Sequence, residues 1–188
     1  MKKCVPLMLF GAVLGMVVIL CISMVTAGKV SLVMNGFAVD EDGLLYIGRE
    51  REIVVLNDGE HTRTIDVPTS RTYKFTIVDG QTILLSTSTK LYTMDLFGNV
   101  LSENTDEGTK VYNQLQWKKT YIAQNGQKYT LDSHWGRMCI YKDDTAIYTM
   151  PLFDYIVRIL LGIPFITLLF LGVVILIMKI FERMKTPQ

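Results

Sequence analysis

Val39-Asp40-Glu41-Asp42-Gly43-Leu44-Leu45-Tyr46-Ile47-Gly48, followed by Ile53-Val54-Val55-Leu56-Asn57-Asp58-Gly59, is the stretch that decides the fold. Short runs of β-branched, aromatic and aliphatic residues alternate with Asp-Gly pairs. Such runs favour strands, and Asp-Gly supplies the positive φ angles that tight hairpin turns need. The stretch therefore predicts successive antiparallel strands. The same punctuation continues at Asp79-Gly80, Phe97-Gly98-Asn99, Asn125-Gly126 and Trp135-Gly136. Almost no helix is expected between Lys29 and Pro151.

Lining up the turns exposes a repeat. Gly43 and Gly80 are 37 residues apart, and Gly59, Gly98 and Gly136 follow at 39 and 38. Three units emerge from this spacing: Gly36 to Pro68, Tyr73 to Asp106, and Val111 to Tyr141. In the third, Tyr112 to Trp117 is the first strand and Gly136 matches Gly59 and Gly98. Four strands in about 40 residues is the arithmetic of a β-propeller blade. Val30 to Met34 and Ala146 to Met150 are further strand candidates that pair with or cap exposed edges.

The first unit, with Val39 to Gly48 followed by Ile53 to Gly59, resembles blades of the NHL and quinoprotein-like propellers. The resemblance covers about three blades and implies strand order; no activity comes with it. Propellers close into rings of four to eight blades, so three leave open edges. A stack of small sheets, a dimer of three plus three blades, or a docked partner each answers that problem.

Outward from the repeats the composition changes. No charged residue occurs from Val5 to Ala27, long enough to cross a bilayer core of about 30 Å. A second apolar stretch runs from Ile156 to Met178, with Asp154 and Arg158 on one helical face at its outer boundary and Gly162 and Pro164 one turn further in. Lys2 and Lys3 precede the first span, and Lys179, Arg183 and Lys185 follow the second, so both ends are expected in the cytoplasm. The expected organisation is a cytoplasmic N-terminus 1–4, a transmembrane helix or signal anchor 5–27, an extracytoplasmic domain 28–151, a transmembrane helix 152–178 and a basic tail 179–188. A cleaved signal peptide ending at Val25-Thr26-Ala27 is the alternative for the first segment. The fold class is thus an all-β ectodomain of about three four-stranded propeller-like antiparallel repeats, flanked by two transmembrane α-helices.

The middle segment, Lys29 to Pro151, holds 13 Lys and Arg against 16 Asp and Glu, which gives no electrostatic reason to expect nucleic acid. Asp40-Glu41-Asp42-Gly43 lacks the alternating ligands of a calcium loop and reads as a turn. With His61 and His134 the only histidines, neither a multi-histidine metal site nor a Ser/His/Asp triad is expected. No cofactor and no catalytic residue is assigned. Cys139 is the one cysteine between the spans and is expected to be a buried free thiol.

Two candidate sites remain. His134 and Trp135 form an aromatic loop suited to a contact surface. Gly11 and Gly15, four apart on one helix face, allow close backbone approach by the second span or by another copy of the chain. The expected partners are the lipid bilayer and a protein partner or homodimer. The expected role is an accessory or sensory protein-interaction module in a bacterial cytoplasmic membrane. The alternative is an extracellular small-ligand or glycan-binding module, with a membrane-bound enzyme a distant third.

Overall fold

The structure, a computed structural model, describes residues 5–69, 72–116, 118–123 and 125–162, with side chains from residue 15 onward. The expected ends 1–4 and 179–188, Trp117, Pro164 and most of the second apolar stretch lie outside the described residues. The chain divides into two units, one of them Ser31–Pro151 and the other made of the flanking segments.

In the flanking unit, α1 is a helix over Val5–Thr26, and 152–162 is helical. Counting the residues whose side chains are described, 15–26 and 152–162, no helix is long and apolar enough to cross a membrane. Met16, Ile19, Leu20 and Ile22 of α1 are exposed nonetheless, and Cys21 is buried.

The β unit contains three four-stranded antiparallel sheets. Sheet A comprises β1 (Phe37–Val39), β2 (Leu45–Gly48), β3 (Glu52–Asn57) and β4 (Glu60–Asp66). Sheet B comprises β5 (Tyr73–Val78), β6 (Thr82–Thr87), β7 (Leu91–Asp95) and β8 (Val100–Asn104). Sheet C comprises β9 (Thr120–Ile122), β10 (Lys128–His134), β11 (Arg137–Lys142) and β12 (Thr145–Thr149). Each is a simple meander in chain order, the strand plan of a propeller blade. Asp58 and Gly59, both at positive φ, make the two-residue turn between β3 and β4.

Sheet A lies between the other two, and its side chains alternate accordingly. Ala38, Tyr46, Ile53, Val55 and Ile65 pack with Tyr73, Phe75, Ile83, Leu85, Tyr92 and Met94 of sheet B. Phe37, Val39, Leu45, Ile47 and Leu56 turn the other way and pack with Tyr129 and Ile140 of sheet C. Burial on both faces explains why β2 is apolar without alternation, every residue of Leu45–Gly48 being buried. By contrast β8, an outermost strand, is exposed along its whole length.

Polar contacts join the layers at both ends. The Tyr73 hydroxyl donates to Glu52 O at 2.9 Å, the Tyr129 hydroxyl to Gly43 O at 3.4 Å, and Lys142 pairs with Asp58. That carboxylate holds the Lys142 ammonium above its ordinary pKa.

A bulge recurs in the fourth strand of every sheet. Thr62, Leu101 and Ile147 are each left over in the pairing with the preceding strand. Each stands three residues after the second residue of the turns Asp58-Gly59, Phe97-Gly98 and Asp143-Asp144. A bulge twists an edge strand and interrupts its ladder, which discourages edge-to-edge association.

The third repeat is phased differently from the sequence expectation. Gly136 closes the turn between the second and third strands of sheet C, whereas Gly59 and Gly98 lie between third and fourth strands. The equivalent turn is Asp143-Asp144, and β12 is a full member of the sheet, not a cap. Residues 30–34 form no strand. The shift arises because a helix, α2 (Gly108–Gln114), is inserted before β9 where a first strand was expected.

Helix α2 has no side-chain N-cap and is too short to be stable alone. Tertiary contacts hold it on the outer face of sheet B. Ser86 Oγ donates to Gly108 O at 2.8 Å, Lys74 Nζ to Tyr112 O at 2.8 Å, and Thr109 Oγ1 to Ser88 O at 2.7 Å.

Gly48 shows how closely sheets A and B approach. A Cβ there would stand 2.8 Å from Phe75 Cε1 and 3.2 Å from the Tyr73 hydroxyl. Gly48→Ala is expected to cost about 1–3 kcal/mol through overpacking. Gly126 has a φ of +83° and open space around it, so Gly126→Ala costs only its backbone strain, about 1 kcal/mol. Thermal melts of the two full-length variants check the order; equal losses would contradict the close approach at Gly48.

Candidate functional site

The first strands of the three sheets meet at one cleft. Its lining includes Asn35 to Val39 at β1, Phe75 to Ile77 of β5, Gln114 to Gln116 after α2, and Lys118 and Tyr121 at β9. The volume is about 300 Å³, at the small end of ligand sites. This is where a propeller places its axis, with the innermost strand of each blade facing it.

Besides Thr76, Gln114, Gln116 and Lys118, two kinds of polar group line the cleft. Gly36 O accepts from Gly48 N at 3.0 Å, and Asp40 N donates to Leu44 O at 3.1 Å. That parity turns the N–H and C=O of Phe37 and Val39 away from β2, toward the cleft they line. Asn35 is the second. It is 1% exposed, its Nδ2 donates to Arg49 O at 3.0 Å, and its Oδ1 has no partner. Leaving an amide oxygen buried without a donor costs about 1–3 kcal/mol. Lys118 brings the positive charge, its Nζ 5.7 Å from the centre of the Tyr121 ring.

Sheet A also holds a polar chain, buried at Tyr46 and Asp40 and half-buried at Arg63. Arg63 Nη2 donates to the Tyr46 hydroxyl at 3.0 Å, which donates to Asp40 Oδ2 at 3.1 Å. Asp40 Oδ1 accepts from Leu44 N at 2.8 Å, so the acidic stretch at 40–43 is a turn lock. The Arg63 guanidinium also lies 5.0 Å from the centre of the Phe97 ring, tying sheet A to the β7–β8 turn of sheet B. Burial and the Asp40 carboxylate raise the Tyr46 pKa from 10.0 to about 12, against the lowering effect of Arg63. Burial raises Tyr73 in the same direction.

The sequence candidates lie elsewhere. His134 ends β10 and is exposed. Trp135 follows at the β10–β11 hairpin tip, 92% exposed and at a φ of +53°. A Cβ on Gly15 would meet no atom within 4 Å, while Gly11 lies where side-chain surroundings are not described. Cys139 is buried and free. Among the described residues no group of three or more His, Cys, Asp or Glu is placed to hold a metal ion. Asn35, Arg63 and the cleft itself escape sequence reading, since an Asn before a Gly reads as a turn and no local pattern marks a meeting of three distant strands.

No protein-family model matches the chain, and no curated protein sequence matches it. Several solved structures are similar in part, among them the following two. One is a protein of unknown function from Bacteroides caccae, 14% identical, at a TM-score of 0.31, with 63% of this chain and 46% of that one covered. The other is BamB from Moraxella catarrhalis, 13% identical, at a TM-score of 0.32, with 62% and 36% covered. The chain thus spans less than half the length of either, and at these scores the strand order and register above are what define its architecture.

The raised Tyr46 pKa has a pH consequence. The unfolded chain releases this proton near pH 10 and the folded chain near 12, so the stabilisation is complete below pH 10 and is lost as pH rises through that window. Tyr46→Phe is expected to flatten the fall of stability above pH 10 while lowering stability at neutral pH. Urea denaturation at a series of pH values checks this; an unchanged slope would contradict the buried, protonated hydroxyl.

Proposed function

We propose that this chain is a membrane-anchored, extracytoplasmic β-repeat module that binds a protein partner in an accessory or sensory role. The observation that carries the reading is the incomplete stack. Among the described residues, sheet A is covered on both faces, whereas B and C each have a face with no sheet against it. On sheet B, α2 covers the end near Lys74 and Ser86, leaving Thr76, Leu84 and Thr93 half-buried and Val78 exposed. On sheet C the open face buries Cys139, and the rest of it is a shallow depression lined by Lys128, Thr130, Asp132, Tyr141, Asp143 and Asp144. A blade surface of this kind fits a further sheet, from a partner or from a second copy.

Support for the anchor comes from α1, which holds no charged residue and presents Met16, Ile19, Leu20 and Ile22 outward. Such a surface is costly in water and at ease among acyl chains. With basic residues beyond both apolar stretches, the reading places the termini in the cytoplasm of a bacterial cell and the β unit outside. The resemblance to NHL and quinoprotein-like blades bears on architecture only, and no catalysis is assigned.

The axial cleft favours a second reading, a small-ligand site. The backbone N–H and C=O groups of Phe37 and Val39, turned away from β2, line it with Gln114, Gln116 and Lys118, which suits a ligand with several hydroxyls such as a glycan.

Photo-crosslinking in the native host separates these. A photoreactive residue at Thr130 or Thr76 is expected to give discrete adducts, and one at Thr64 on β4 is expected to give none. Adducts at twice the chain's mass identify a homodimer, and heavier or lighter ones a different partner. Absence of adducts from both open faces would overturn the protein-binding reading.

A further inference from the structure

We propose that the β10–β11 hairpin tip is an interfacial membrane anchor, with the indole of Trp135 seated in the lipid headgroup layer. This rests on the anchor reading above and assigns the exposed tip a lipid surface as its partner.

Topology carries the first step. In a four-stranded meander the first strand begins, the fourth strand ends and the second turns into the third all at one end. The β unit therefore takes in its chain and releases it at the end bearing these turns. Hydrogen bonds agree. At the incoming side, Glu50 N of the β2–β3 turn donates to Ser31 Oγ at 3.0 Å. At the outgoing side, Met150 N donates to Met138 O at 2.8 Å, and Arg137 Nε donates to Met150 O at 2.7 Å. Trp135 thus stands at the end of the β unit through which the chain is joined to its apolar segments. Leu152 and Phe153, just beyond Pro151, are exposed.

The side chain carries the second step. A bulky residue at positive φ is uncommon, and here that conformation holds an indole 92% exposed at a hairpin tip. An indole has a large apolar body and one N–H donor, which suits the boundary between headgroups and acyl chains.

Charge supplies the third. The turns at the opposite end hold Glu41, Asp42, Asp58, Asp79, Asp143 and Asp144. The turns at the Trp135 end hold Arg49, Glu50, Arg51 and Lys90, with Arg137 at the start of β11; Glu52 and Glu103 pair with Arg49 and Lys90, and Asp66, Asp106 and Glu107 stand at or just beyond the last residues of β4 and β8. An anionic lipid surface repels the first end more than the second.

The test uses the full-length chain, which contains two tryptophans. Trp117→Phe leaves Trp135 as the sole emitter. In vesicles of phosphatidylcholine and phosphatidylglycerol, its emission is expected to shift to the blue. Lipids brominated near the headgroup should quench it severalfold more than lipids brominated deep in the chain. The complementary Trp135→Phe protein, altered only at an exposed tip, is expected to lose that shallow quenching. Emission unquenched by either lipid, from protein that floats with the vesicles and resists alkaline extraction, would overturn this proposal alone. Release of the protein by alkali would overturn the anchor reading and the proposal together.

Discussion

Burial of sheet A on both faces is the constraint on which the β unit depends. One set of its side chains, including Tyr46, Ile53 and Val55, joins the core shared with sheet B. The alternate set, including Leu45, Ile47 and Leu56, joins the core shared with sheet C. Each fully buried aliphatic side chain contributes about 1.5–3 kcal/mol, and sheet A supplies such side chains to both cores. Sheets B and C bury one face each in this way. Neither core survives loss of sheet A, whereas loss of an outer sheet leaves one core standing.

Closure of the stack is the other side of the same geometry. A propeller ring gives every blade two neighbours, and here, among the described residues, only the middle sheet has them. The sheets compensate locally: α2 covers part of one face of sheet B, and bulges at Thr62, Leu101 and Ile147 disturb the fourth strand of each sheet. These devices protect edges while leaving faces open. A fold that guards its strand edges but leaves sheet faces uncovered is suited to face-to-face docking, which is the basis of the functional proposal.

Much of this architecture was legible in the residues around Gly43, Gly59, Gly80 and Gly98, because turn chemistry and strand composition are local properties. The first two repeats follow that reading strand for strand. The third departs from it because α2 is held by bonds from Lys74, Ser86 and Thr109, which span 38, 22 and 21 residues of sequence, and no local pattern encodes such contacts. Trp135-Gly136 looked like its predecessors because it carries a glycine in the same place as Asp58-Gly59 and Phe97-Gly98, so turn chemistry alone cannot say which pair of strands a turn joins. The exposure of Trp135 follows from its place at a tip. The cleft around Asn35 needs three strands far apart in sequence, and its orphaned amide oxygen is a property of tertiary structure.

Hydrogen exchange read by mass spectrometry on the full-length protein in mild detergent tests the double-sided core most directly. The slowest amides are expected in Leu45–Gly48 and Glu52–Asn57, with sheets B and C exchanging earlier and β8 first among the strands. Protection of Lys128–Lys142 that outlasts sheet A, or uniform exchange across the three sheets, would contradict a stack built around its middle layer.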